Sequence, residues 1–206
     1  MKLKRFFKFC SINKIIRLLT YSDILIITGW GLINPVISVF FTEQIKGADI
    51  RTVGVASTIY FVTKSFVQIP LARIIDIYKG DRDDYRVMVV GSILVSMVPF
   101  LYTLIDHPTQ LFLIQFVYGV GCAMAYPSWL AIFTRNIDKD QEGLEWSVHQ
   151  TTTDIGSALA ASLGSLLIFQ FGYETVFILV GILNLLGTSL LLLLSRKFPT
   201  KNKKPL

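Results

Sequence analysis

Residues 174–195 read ETVFILVGILNLLGTSLLLLLS, with Glu174 at the start and no other charge in 22 residues. At about 1.5 Å per residue, a helix of this length crosses the roughly 30 Å hydrocarbon layer of a bilayer. Arg196, Lys197, Lys201, Lys203 and Lys204 follow it with no acid among them. A basic cluster against such a stretch is the usual mark of a cytoplasmic membrane boundary. Working outward, similar apolar stretches occur at about 21–42, 52–76, 87–105, 110–133 and 146–170. The sequence therefore predicts six membrane spans.

The composition agrees. Of 206 residues, 52% are hydrophobic and only 17% charged, with a mean hydropathy of +0.57. That excludes a disordered chain, and a soluble domain of this size would carry more surface charge. With only Cys10 and Cys122, a disulfide scaffold is excluded too. The connections are short: 43–51, 77–86, the Asp106–His107–Pro108 turn, 134–145, and Phe171–Gly172–Tyr173. They predict one antiparallel bundle over 1–206 rather than two domains.

Orientation follows from basic residues. With the N-terminus inside, 17 Lys and Arg residues fall on the cytoplasmic side, against Lys46 and Arg51 outside, with Lys64 inside a span. This asymmetry predicts both ends in the cytoplasm, an even span number and a multi-pass protein of the cytoplasmic (inner) membrane. Basic residues of the first 17 positions alternate with Phe6, Phe7, Phe9, Ile12, Ile15 and Ile16, as in a short interfacial helix. The basic ends are read as juxtamembrane charges, with no nucleic-acid partner.

Polar residues inside the spans need partners. Lys64 falls near mid-membrane, where a lysine must face protein or water. Asp154 lies somewhat shallower in the fifth span, so a Lys64–Asp154 salt bridge is one expectation. As working groups, Asp154 could exchange a proton or meet a cation, and Lys64 could meet an anion. Asp23, with Ser22, reads as a cap at the start of the first span. Asn34, Gln68, Gln115 and Asn184 can hydrogen-bond across helices or contact solute. Trp30, Tyr60, Tyr118, Tyr126 and Trp129 are cavity or interfacial aromatics. Asp81, Asp83 and Asp84 read as a solvated loop. Gly156, Ala160 and Gly164, like Gly119 with Ala123 and Gly121 with Ala125, repeat every four residues, the spacing for close helix approach. Pro35, Pro70, Pro99 and Pro127 predict bends. No metal set, HExxH, CxxC, GxxxxGK[ST] or hydrolase constellation occurs, so neither an enzyme nor a cofactor is expected.

Four segments carry a resemblance. They are Gly29-Trp30-Gly31-Leu32-Ile33-Asn34-Pro35; Ala72-Arg73-Ile74-Ile75-Asp76 with the turn from Lys79 to Arg86; Gly119-x-Gly121-x-Ala123-x-x-x-Pro127 with Arg135; and Phe171-Gly172-Tyr173-Glu174-Thr175-Val176-Phe177. Together the chain resembles the N-terminal six-helix half of a major facilitator superfamily transporter. Ala72 stands where that family's cytoplasmic signature has glycine, and the following turn is longer and more acidic. The resemblance implies an all-α, six-transmembrane-helix bundle that moves a small solute by alternating access, driven by an ion gradient. It implies a lining from the first and fourth spans, for which Trp30, Asn34, Tyr118 and Tyr126 are the candidates. Lys64 and Asp154 are the intramembrane charges, nearer the interface between halves. Asp76, Arg86 and Arg135 form the cytoplasmic gate motif. Such transporters have two halves, so a second six-helix half is expected, either a second copy or a separate chain, or else this chain is a fragment. The alternative is a non-transporting six-span scaffold or partner subunit, with Lys64 and Asp154 paired internally. A membrane enzyme would need clustered acids or histidines at one interface, and the three aspartates at 81–84 are the only such group.

Overall fold

The computed structural model describes residues 13–78 and 81–197. The expected interfacial helix up to residue 12, the Lys79–Gly80 turn and the basic tail from 198 lie outside the described residues. The described chain forms six helices: α1 Lys14–Ile33, α2 Ile37–Gln44, α3 Ile50–Tyr78, α4 Asp81–Tyr102, α5 Pro108–Asn136 and α6 Glu142–Leu192, with a 3₁₀ turn Leu193–Lys197 closing the last.

Several boundaries differ from the sequence expectation, each for a local reason. The first membrane helix starts at Lys14, not near 21. Asn13 caps it, its Oδ1 accepting from the Ile15 N–H at 3.0 Å, while its Nδ2 donates to the Asn136 carbonyl at 3.1 Å. The cap thus also ties the start of α1 to the end of α5. The predicted span then breaks at Asn34–Pro35–Val36, where proline offers no N–H to the helical ladder, and resumes as α2. Pro70, Pro99 and Pro127 sit inside helices that continue past them.

Helix α3 begins at a reciprocal cap. The Thr52 N–H donates to Asp49 Oδ1 at 2.9 Å and the Asp49 N–H donates to Thr52 Oγ1 at 3.2 Å. The Thr52 N–H holds the Asp49 carboxyl below its ordinary range. Helix α4 starts six residues before the expected 87, which turns most of the presumed acidic loop into helix. Asp84 is consequently buried, its side chain 2% exposed against Arg135, rather than solvated. The connector expected over 134–145 shrinks to 137–141.

The 51 residues of α6 would reach about 76 Å if straight, more than twice a hydrocarbon layer. The helix instead breaks at Gly172, whose φ of 78° and ψ of 170° glycine alone adopts readily. Four helical stretches among the described residues are long and apolar enough to cross a membrane: Lys14–Ile33, Arg82–Tyr102, Pro108–Asn136 and Glu142–Ser195. Helix α3 is long enough, but Lys64, Gln68 and scattered serines and threonines dilute its apolar character.

The architecture is an all-α membrane bundle. Helix α1 packs along α6, α4 packs between α5 and α6, and α3 lies on α5. The predicted small residues make these crossings. A Cβ on Gly164 would strike the Leu32 backbone, and one on Gly31 would sit 3.1 Å from the Ala160 side chain. A Cβ on Gly91 would lie 2.7 Å from the Gly121 carbonyl oxygen, where α4 meets α5. Such approaches are typical of helices that pack in lipid, where small residues allow dispersion contacts to accumulate. Two apolar clusters fill the bundle. At one end Phe40 of α2 meets Phe177 edge-on at 4.6 Å, and Phe41 meets Tyr102 at 5.5 Å. At the other end, Ile16, Met88, Ile132, Phe133 and Leu194 lie fully buried.

Candidate functional site

Three helices converge through aromatic rings in the middle of the bundle. Trp30 of α1 stacks on Tyr118 of α5, with centroids 4.8 Å apart and 17° between planes. Tyr118 stacks in turn on Tyr60 of α3 at 4.7 Å and 27°. One helical turn beyond Tyr60, the Lys64 ammonium lies 5.8 Å from the Tyr60 centroid and 5.5 Å from that of Tyr126. The structure therefore brings Trp30, Tyr118, Lys64 and Tyr126 into one column, with Tyr60 as its middle member. Such spacings suit ring stacking and cation–π attraction.

The helices set this column by sequence spacing. Tyr60 and Lys64 stand four apart on α3, on one face. Tyr118 and Tyr126 stand eight apart on α5, two turns along the same face. Gly119 lets α3 approach: a Cβ there would lie 2.8 Å from the Tyr60 carbonyl oxygen. Cys122 stands one helical turn from both Tyr118 and Tyr126 on α5 and packs with Tyr118 against the same apolar cluster. Trp30 is buried, and its indole N–H has no hydrogen-bond partner among the described residues. Tyr126 stays half exposed, at 51%.

Other expected groups fall elsewhere. Asn34 is exposed at the α1–α2 break, its N–H donating to the Trp30 carbonyl. Asp154 is exposed and accepts from Gln150 Nε2 at 2.8 Å. No ion pair joins it to Lys64 among the described residues. Among the described residues the gate residues take different surroundings and partners. Asp76 is exposed, Arg86 pairs with Asp83 of its own helix at 3.7 Å, and Arg135 pairs with Asp84. Gln115 does hydrogen-bond across helices, donating to the Tyr102 hydroxyl at 2.9 Å. Asn184 instead donates to Val180 of its own helix. Trp129 is part of the buried core at the end of the bundle, stacked on Phe133.

Two acid contacts escaped sequence reasoning, those of Asp23 and Asp84. Asp23 is not a cap, because α1 starts nine residues before it; its carboxylate lies 3.6 Å from His149 Nε2 on α6. Ser22 donates to the Gly187 carbonyl at 2.8 Å. The His149 ring is enclosed by Trp129, Phe133 and Trp146. The available signal was depth: once the helix starts at Lys14, Asp23 falls more than two turns inside. Asp84 gave a similar signal, since Tyr85, Met88 and Val89 follow it at helical spacing.

The geometry defines a membrane helix bundle with a polar and aromatic centre. A family model, Major Facilitator Superfamily, matches residues 21–206. The chain belongs to the major facilitator superfamily. No curated protein matches it significantly. Among solved structures it is similar to the POT family transporter PepTSo, at a TM-score of 0.74 and 15% identity, over 95% of this chain and 40% of that one. It is also similar to an auto-inhibited POT family peptide transporter, at a TM-score of 0.66 and 14% identity, over 92% of this chain and 40% of that one. The chain thus spans less than half the length of these relatives.

Proposed function

We infer that this chain is one six-span half of a secondary transporter, which carries a small solute across the cytoplasmic membrane together with a second six-helix half. In this reading the residues 1–206 form one domain with both ends inside. α1 with α2 makes the first pass, α3, α4 and α5 the next three, and the two arms of α6 on either side of Gly172 the fifth and sixth. The pathway runs past Trp30, Asn34, Tyr118 and Tyr126, with Lys64 and Asp154 toward the second half. Asp76, Arg86 and Arg135 serve the cytoplasmic gate.

The observation that carries this reading is the face of α3. Phe61 (61% exposed), Phe66 (77%) and Ile69 (74%) lie uncovered on the same helix as half-buried Lys64. Large apolar side chains suit lipid as well as protein, but a lysine at mid-span is costly against hydrocarbon, and this supports protein beside Lys64 on that helix. The first arm of α6 presents a comparable face with Ile155, Leu159, Leu163 and Leu166. Halves that rock against each other around a central site would use such faces. A purely structural subunit with Lys64 neutralised by Asp154 is less favoured, because Asp154 bonds Gln150 instead.

The test is cross-linking with single cysteines at Phe66 and at Leu163, in a chain whose Cys10 and Cys122 are serine. The mass of the purified protein in nanodiscs is measured alongside. A specific homodimer linked through these positions supports two identical halves. A monomer that gains a linked partner only when a second membrane chain is co-expressed supports a separate half. A monomer indifferent to both, and without solute flux in proteoliposomes, overturns the transport reading.

A further inference from the structure

Lys64 is a mid-span charge that has no ion-pair partner among the described residues. It sits 15th of the 29 residues of α3, and its side chain is half buried. Among the described residues no carboxylate comes within ion-pair distance of it. Its neighbours are the rings of Tyr60 and Tyr126. Ring faces attract an ammonium but offset only part of the desolvation of a full charge. An ammonium so placed keeps donor capacity for an anion.

The rings also say what the anion must be attached to. Tyr60 is engaged on one side by Tyr118 and edge-on by Phe61. Among the described residues Tyr126 has no such ring partner, and it is half exposed. Phe61 and Phe66 continue an apolar exposed surface along α3. A small hydrated inorganic anion would gain little from these surfaces. An aromatic carboxylate gains twice, through a charge-assisted hydrogen bond to Lys64 and through burial of its ring against Tyr126.

We propose that Lys64, Tyr60 and Tyr126 form a binding site for an organic anion, with the carboxylate on the Lys64 ammonium and an aromatic body against Tyr126. This rests on the transport reading above and names the class of solute it would carry. Asp154 does not compete for the lysine, since it is held by Gln150 on another helix.

The experiment uses the full chain in nanodiscs with three probes of one shape: benzoate, benzamide and benzylammonium. Binding is read from tryptophan fluorescence, Trp30 being two rings from Tyr60, and from thermal shift. Benzoate is expected to bind at least about tenfold tighter than benzamide, the value of one charge-assisted hydrogen bond. Benzylammonium is expected to bind weakest. Lys64→Met should remove the preference for benzoate over benzamide, Lys64→Arg should keep it, and Tyr126→Leu should weaken benzoate several-fold. Equal binding of benzoate and benzamide by the unaltered chain overturns the proposal, whether or not Lys64→Met folds. That is also the result expected if a carboxylate of the second half neutralises Lys64. Benzoate uptake into proteoliposomes separates the two levels. Flux unaffected by Lys64→Met overturns this site and leaves the transport reading intact. Charge-dependent binding without flux supports the site and counts against transport.

Discussion

Asp23 Oδ2 lies 3.6 Å from His149 Nε2, joining the first helix to the last across the buried end of the bundle. Both side chains are largely buried, at 16% and 6% exposure, and the His149 ring lies among those of Trp129, Phe133 and Trp146. Groups placed like this depend on each other, because removing one leaves the other without its partner in a weakly solvating site. Asp23→Ala and His149→Ala should each destabilise the bundle by about 1–3 kcal/mol. The double substitution should cost less than the two single losses together, with a coupling of about 0.5–3 kcal/mol. Thermal unfolding in nanodiscs measures all three. Strictly additive losses would show that the two residues act independently, contrary to the contact.

The second prediction concerns how tightly α1 crosses α6. A Cβ on Gly164 meets the backbone of Leu32, which cannot rotate away as a side chain could. Gly164→Ala should therefore force the helices apart and cost about 1–3 kcal/mol, despite alanine's better helix propensity. Gly54 on α3 is the control, because a Cβ there meets nothing within 4 Å. Gly54→Ala should be neutral or stabilise by up to about 1 kcal/mol. A thermal shift of the same sign for both substitutions would refute the crossing.

Arg135 and Asp84 supply a third. The Asp84 side chain is 2% exposed and that of Arg135 is 39%, so the carboxylate bears most of the desolvation. Arg135→Ala takes a cation from beside a buried carboxylate, whereas Asp84→Asn removes the buried charge itself. Arg135→Ala should be the more damaging, by about 1–3 kcal/mol after allowance for the exposure of the arginine. The loss should persist at 0.5 M salt, because a buried pair is screened far less than a surface one. Equal damage from the two substitutions would count against this asymmetry.

The parts of the fold legible in sequence were those set by long-range composition. The apolar run of 174–195 and the four-residue spacing of Gly156, Ala160 and Gly164 each state a physical requirement, and the helices and the α1–α6 crossing follow from them. The column is legible by type, since Trp30, Tyr60, Tyr118, Tyr126 and Lys64 all stand out in the sequence, but nothing in the sequence says that Tyr60 is the ring between Tyr118 and Lys64. That depends on the rotation of α3 against α5, which the close approach at Gly119 sets. What failed turned on helix ends. Placing the start of α1 near 21 made Asp23 a cap, and starting α4 at 87 made Asp84 a loop residue. A shift of a few residues at a helix end moves an acid from water to the core. Depth alone supports a Lys64–Asp154 pair, and depth says nothing of which way each helix faces.

The final prediction tests the number of passes. Gly172 takes φ 78° and ψ 170° in open surroundings, so a side chain there meets no neighbour but strains the backbone. Gly172→Ala should cost about 1–3 kcal/mol through conformation alone. If the break turns the chain back across the bilayer, cysteines at Glu174 and at Ser195 lie on opposite sides. In right-side-out vesicles of a chain lacking Cys10 and Cys122, a membrane-impermeant maleimide should then label Glu174→Cys and spare Ser195→Cys until the membrane is permeabilised. Arg51→Cys should label like Glu174→Cys, and Lys139→Cys like Ser195→Cys. Labelling of Glu174→Cys and Ser195→Cys from the same side would mean that the two arms of α6 are not two passes, and the six-span count would fall with it.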